Sequence, residues 1–260
     1  MPPIAIAAMI EVDRLMVDEY GITLVQMMEH AGRAVAEVVR QLLGGDVARQ
    51  RVAILVGKGK NGGGGLVAAR HLANAGATVA VALAAPPGDL GPIPEHQRRI
   101  LARMGIRGSS DATDLAALAG ALVGAAIIVD ALIGYRLRGD PRPPIAGFIA
   151  AANAATGRRV ALDLPSGLDG ANGEPAGPTL RADATVTLAW PKAGLLGAPA
   201  APFVGALYLA DIGVPRAVYR SVGVDAGTIF SRGAVVPIRP DGDGWRPLPD
   251  RIAGDNGQDA

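Results

Sequence analysis

The chain has no cysteine, three histidines and few aromatic residues (3%). Without cysteine there are no disulfides, no thiolate zinc sites and no cysteine nucleophile, so any chemistry falls to oxygen and nitrogen groups. The scarcity of aromatics removes the stacking platforms that single-stranded nucleic acids use. No run of five like charges occurs and the net charge is +1. That pattern offers neither a nucleic-acid groove nor an electrostatic membrane patch. No apolar run reaches the ~18 residues of a membrane span. The short apolar stretch at the N-terminus lacks a basic leader and runs directly into acids, which speaks against a signal peptide. A cytoplasmic protein with a small-molecule partner is the expectation.

What the chain does have is apolar residues, 50% of 260, enough for a substantial core. Residues 10–44 read as helices: Val12, Leu15 and Met16, then Leu24, Met27, Met28, Ala31, Val35, Val38, Val39 and Leu42 recur at threes and fours. Gly21 separates the two. An alternation of short apolar strands and Ala-rich helices follows, with strands expected at 51–56, 78–83, 126–129, 159–162 and 184–188. Helices are expected at 66–75, 95–104, 111–123 and 145–155. Strands so free of charge are buried on both faces, and the alternation predicts a Rossmann-like three-layer αβα sandwich with a mostly parallel sheet. A last strand near 205–210 is expected to close one sheet edge. Residues 231–260 have a loop composition and read as mobile, which divides the chain into a domain over 1–225 and a flexible tail over 226–260.

In such a sheet ligands bind beyond the carboxyl ends of the strands, and three of those loops are unusual. The first, GKGKNGGGG over 57–65, reads as a loop whose backbone N–H groups converge on an anion ahead of a helix N-terminus, with Lys58 and Lys60 beside them. A tight turn is the alternative. The second, DALIGYRLRGD, places Asp130 at a strand end, where burial demands a cation or hydrogen-bond donors; capping a turn would satisfy it equally. The third, ALDLPSGLDG, ends a strand at Asp163, with Pro165 barring an immediate helix. Asp130, Asp163 and Ser166 converging beside the Gly-rich segment would form a polar pocket able to hold a hard cation and transfer protons. His71, His96 and the Glu29–His30 pair read as structural.

At these loops the sequence resembles the NAD(P)H-hydrate epimerase family. QMMEHAGRAVAE is similar to its M-E-x-A-G-x-A segment, GKGKNGGGGLVAARHL to its N-N-G-G-D-G loop and helix, DALIGYRLRG to D-A-L-x-G, ALDLPSGLD to D-x-P-S-G-x-D, and VTLAWPKAGL to T-x-x-x-x-x-K-x-G-L. The likeness runs in order from about Met9 to Val214. It implies a Rossmann-like sandwich, a homodimer in many members, and interconversion of the R and S epimers of NADHX and NADPHX, the hydrates of damaged nicotinamide cofactors. It further implies Asp163 as the acid/base, potassium at Asn61, Asp130 and Ser166, and dinucleotide contacts from Lys60, Asn61, Gly62, Gly63 and Gly64. Gly134, Tyr135, Arg136, Leu137, Arg138, Gly139, Asp140 and Asp163 complete the implied substrate set.

The chain departs from the family pattern at three positions: Lys58 for a frequent proline, Lys60 for the first asparagine, and Gly64 for the acid of N-G-G-D-G. Loss of that acid leaves a non-catalytic nucleotide-binding or scaffolding module of the same fold as the competing reading. The chain is expected to stand alone, without the ATP- or ADP-dependent dehydratase domain fused to some relatives. An ordinary dehydrogenase is poorly supported, since no GxGxxG-to-acid pattern follows the first strand.

Overall fold

The computed structural model describes residues 1–108 and 114–248. Two helices lead, α1 (Ile6–Asp18) and α2 (Leu24–Leu42). Between them Gly21 takes φ +65°, which glycine adopts without a Cβ penalty. A capping box then starts α2, with Thr23 and Gln26 exchanging side-chain and backbone bonds. Strands β1 (Arg51–Val56), β2 (Thr78–Leu83), β3 (Ile127–Ala131), β4 (Arg158–Leu162), β5 (Ala184–Leu188) and β6 (Ala206–Ala210) alternate with α3 (Lys60–Asn74), α4 (Pro92–Arg103), α5 (Leu115–Leu122), α6 (Ile145–Ala154) and α7 (Ala201–Val204). After β6 come α8 (Arg216–Ser221), β7 (Val235–Asp241) and β8 (Gly244–Pro247). Among the described residues no helix is long and apolar enough to cross a membrane.

All eight strands form one sheet in the order β2-β1-β3-β4-β5-β6-β7-β8. It is parallel through β6 and antiparallel at β7 and β8. Because side chains alternate across a strand, Val52, Ile54 and Val56 of β1 pack with α2 and α3 on one face, while Ala53 and Leu55 pack with α5 and α6 on the other. This is the expected three-layer α/β sandwich with a mostly parallel sheet. The order reverses at β1, so the loops after β1 and β3 diverge and leave a crevice between them.

Three expectations change. The Gly-rich segment is not a loop up to residue 66: α3 begins at Lys60, so Gly62, Gly63, Gly64 and Gly65 are helical and buried. Tight packing overrides their poor helix propensity. A Cβ on Gly65 would lie 2.4 Å from Ala131 Cβ, and one on Gly32 of α2 would lie 2.5 Å from Val67 Cβ and 2.6 Å from the Gly64 carbonyl. Side chains there would drive α3 off α2 and off the sheet. Second, β6 does not close the sheet, since Leu207–Ala210 pair with Val235–Ile238. Third, residues 235–247 are not a loose tail but strands, anchored by buried Ile238 and Trp245 in a cluster with Leu207 and Leu209. Pro237 and Pro240 are tolerated there because β7 pairs with β6 only over 235–238 and with β8 only over 238–241, so neither proline is laddered on both sides. The first residues of the helix expected at 111–123, and residues 249–260 of the expected tail, lie outside the described residues.

Candidate active site

A cavity of about 500 Å³ opens at the carboxyl ends of β1, β3, β4 and β5, at the crevice where the strand order reverses. That is the size and place expected of a small-molecule site in a doubly wound sheet. Its wall is mostly apolar, with Met9, Leu24, Met27 and Met28 from the two leading helices facing Leu162 and Leu188 of the sheet. Into it come Lys58, Lys60, Asn61, Asp13, Tyr135, Arg136, Asp163 and Lys192.

The geometry begins with two turns. Asp163 follows β4 at φ +74°, and the Leu164 N–H donates to the Leu162 carbonyl at 3.1 Å. Ala189 follows β5 at φ +62°, with the Trp190 N–H donating to the Leu188 carbonyl at 2.7 Å. An i→i+2 bond around a residue with positive φ is a γ-turn, rare and strained outside glycine by roughly 1–3 kcal/mol. Adjacent strands thus end in paired tight turns, and the packing around them must hold the strain. The first swings Ser166 back onto β3, while the second brings Lys192 to Asp163.

Asp163 and Lys192 form an ion pair at 2.5 Å, with side chains 4% and 1% exposed. The Lys192 ammonium also donates to the Leu188 carbonyl at 2.7 Å and reaches Thr187 Oγ1 at 3.4 Å. Asp163 Oδ1 therefore takes Lys192 and, at 3.4 Å, the Leu188 N–H, whereas Oδ2 takes the Tyr135 N–H at 3.2 Å. The chain around Lys192 is clamped by the N-terminal segment: the Ile4 N–H donates to the Pro191 carbonyl, the Ala193 N–H to the Ile4 carbonyl, and Trp190 Nε1 to the Pro2 carbonyl. A buried ion pair costs desolvation that further hydrogen bonds must offset, and here the Leu188 carbonyl and the Leu188 and Tyr135 N–H groups supply them.

Asp130 is fully buried at the end of β3. Ser166 Oγ donates to its Oδ1 at 2.7 Å, the Ser166 N–H to Oδ2 at 2.8 Å, and the Leu132 N–H to Oδ1 at 3.1 Å. Burial lifts its pKa to about 6, against the pull of those bonds from Ser166 and Leu132. No cationic side chain pairs with it among the described residues. Asn61 donates from Nδ2 to the Leu162 carbonyl at 3.1 Å, and its Oδ1 lies against Gly134. Ser166 Oγ also accepts from the Ile133 N–H at 2.9 Å. Asn61, Asp130 and Ser166 thus flank the same Leu132–Gly134 turn. One carboxylate lacking a countercharge, with neutral oxygens nearby, is a donor chemistry that suits a hard monovalent cation.

Of the expected substrate contacts, Lys60, Asn61, Gly64, Gly134, Tyr135, Arg136 and Asp163 line the cavity. Gly62 and Gly63 do not; they face the Gly57 carbonyl and Met28. Nor do Leu137, Arg138, Gly139 and Asp140, the last of which packs by Gly177. Asp130 and Ser166 sit behind the wall, bonded to each other. Two polar side chains of the cavity wall were given no role from sequence. Lys192 is one, although a lysine within AWPKAGLL, amid apolar residues just past a strand end, is a signal in itself. Asp13 is the other: it lies on the buried face of α1 beside Met9, Val12 and Met16, where an acid needs partners.

The YjeF-related protein N-terminus family matches residues 24–194. The chain is 43% identical to an NAD(P)H-hydrate epimerase of Dehalogenimonas lykanthroporepellens, over 85% of this chain and 86% of that protein. It is 36% identical to one from Rhodopirellula baltica, over 86% and 89%. A bifunctional NAD(P)H-hydrate repair enzyme Nnr of Moorella thermoacetica is 41% identical over 81% of this chain, which spans 40% of that longer protein. Among solved structures, yeast ynu0, YNL200c, superposes with a TM-score of 0.76 at 25% identity, covering 91% of this chain and all of that one.

Proposed function

The chain belongs to the YjeF-related N-terminal family, and from that footing we propose that it is an NAD(P)H-hydrate epimerase, interconverting the R and S forms of NADHX and NADPHX. The observation that carries the proposal is the buried Asp163–Lys192 pair opening into a cavity whose wall is mostly apolar, with Lys58, Lys60 and Arg136 on its lining. The substrate's hydroxyl sits on a ring carbon next to nitrogen. Its configuration is lost when water leaves and returns, or when the ring opens, and both routes need a proton delivered and removed at one place. Asp163 supplies it. Its Oδ1 is occupied by Lys192, while Oδ2, held by a single N–H at 3.2 Å, has the spare capacity to hold or take a proton. Lys192 fixes that orientation and keeps bulk water from the carboxylate.

Binding follows from charge and shape. The N-terminus of α3, with Lys58 and Lys60, faces the cavity together with Arg136, a setting that favours the phosphates of a dinucleotide. The resemblance also assigns contacts to Gly62 and Gly63, which are buried against the Gly57 carbonyl and Met28, and to 137–140, which lie outside the cavity wall and would reach only the more distant part of the ligand. Asn61, Asp130 and Ser166 are the residues to hold potassium, which when bound would supply the countercharge Asp130 lacks and orient the loops around the ligand.

The competing reading, a nucleotide-binding module without the reaction, draws on Gly64, which presents no side chain where the family pattern has an acid. Paired measurements of ligand binding by calorimetry and of epimer conversion by chiral chromatography separate the two, using wild type and Asp163→Asn. The enzyme reading expects both proteins to bind and only the wild type to convert. Equal conversion by Asp163→Asn would remove Asp163 as the acid/base.

A further inference from the structure

A second carboxylate, outside the set that the family motifs provide, reaches the same cavity. Asp13 comes from the middle of α1, is only 9% exposed and lines the wall. Its Oδ2 accepts the Tyr135 hydroxyl at 2.7 Å and lies 3.6 Å from Lys60 Nζ and 3.7 Å from Arg136 Nη2. Tyr135 therefore holds on to two acids at once, Asp13 through its phenol and Asp163 Oδ2 through its backbone N–H. Its ring also stands 5.8 Å from Lys192 Nζ. Residues 132–140 form no helix or strand, so nothing regular fixes the height of the Tyr135 N–H above Asp163. The hydrogen bond from the Tyr135 hydroxyl to Asp13, on a buried face of α1, does that.

We propose that Asp13 is a positioning residue for the Asp163 acid: by anchoring the Tyr135 hydroxyl to α1, it sets the backbone N–H that holds Asp163 Oδ2 in its reactive orientation. The inference rests on the epimerase reading. Asp13 need not touch the reacting carbon. Its effect passes through one side chain, and burial keeps the Tyr135 phenol protonated and donating well beyond neutral pH.

The test is a double-mutant cycle on epimer conversion with Tyr135→Phe, Asp13→Ala and the double variant, alongside Asp13→Asn. Tyr135→Phe removes one oxygen and leaves the ring to pack, so the fold is preserved. Each single variant is expected to lower kcat by roughly tenfold or more, the scale of a modest misplacement of a catalytic group, with KM changed by less than about threefold. The double variant should be no slower than the worse single. Asp13→Asn retains an oxygen that accepts the phenol and should restore most of kcat, which a role for the negative charge alone would not allow. Wild-type kcat in Tyr135→Phe, multiplying losses in the double, or losses confined to KM overturn the positioning role while leaving the epimerase reading intact. No conversion by the wild type overturns both.

Discussion

Replacing Lys192 by methionine removes the ammonium but keeps a stem of similar volume, so the lost term is electrostatic rather than a cavity. The ammonium is bonded to Asp163 Oδ1 at 2.5 Å and to the Leu188 carbonyl at 2.7 Å, at a position where the lysine side chain is 1% exposed. Taking away one partner of a buried pair strands the other as an uncompensated charge, at a cost of about 3–5 kcal/mol. For a chain of this size each kcal/mol moves the melting temperature by roughly 2–4 °C, so a fall of roughly 6–20 °C is expected. The diagnostic step is adding Asp163→Asn to Lys192→Met. If the stranded carboxylate causes the loss, neutralising it returns part of the stability, and the double variant melts above the Lys192→Met single. Thermal unfolding by circular dichroism reads both, with epimer conversion abolished in each. A Lys192→Met protein melting within about 2 °C of wild type, or a double variant melting below the single, would refute the reasoning.

The glycines of α3 should differ sharply. Gly65→Ala sets a Cβ 2.4 Å from Ala131 Cβ and should destabilise by about 1–3 kcal/mol, because neither helix nor strand can yield. Gly64→Ala meets only the end of Leu162, at 3.1 Å, and its gain in helix propensity of about 1 kcal/mol should leave stability nearly unchanged in denaturant titrations. At the far end of the sheet, Trp245→Ala empties a site 2% exposed and should cost about 3–5 kcal/mol by the same titration, which a residue in a loose tail would not. Exchanging potassium for tetramethylammonium at constant ionic strength should weaken dinucleotide binding in calorimetry and lower the melting temperature. Both effects should vanish in Asp130→Asn, which removes the charge that the ion balances.

The sheet was legible because its strands are short, apolar and separated by Ala-rich helices. β1, β2 and β5 span the residues expected of them, Arg51–Val56, Thr78–Leu83 and Ala184–Leu188. What misled were glycine and proline read as local signals. Gly62 to Gly65 look like a loop by propensity, yet they are helical, and at Gly62, Gly63 and Gly65 the Gly57 carbonyl, Met28 and Ala131 leave no room for a side chain. Pro237 and Pro240 look like breakers, yet they sit in β7, where pairing with β6 and β8 and the burial of Ile238 and Trp245 outweigh the missing N–H groups. For the site, each acid at a strand end was visible in its motif. The lysine of the K-x-G-L segment was visible too, but its pairing with Asp163 was not, because Lys192 reaches it only through a second γ-turn and a clamp from residues 2–4, neither of which has a local sequence pattern. Asp13 was hidden in the same way: Tyr135, which hydrogen-bonds it, comes from a loop more than a hundred residues away.

The claim that joins fold, cavity and the Asp163–Lys192 pair is that this protein scrambles one stereocentre of a hydrated nicotinamide ring. The direct measurement is chiral chromatography of pure (R)-NADHX, timed with and without the wild-type protein in potassium buffer. The expected result is appearance of the S epimer well ahead of the spontaneous rate, converging on the same mixture reached from pure (S)-NADHX. Conversion at the spontaneous rate, with the ligand demonstrably bound, would contradict the account and identify the cavity as a binding site alone.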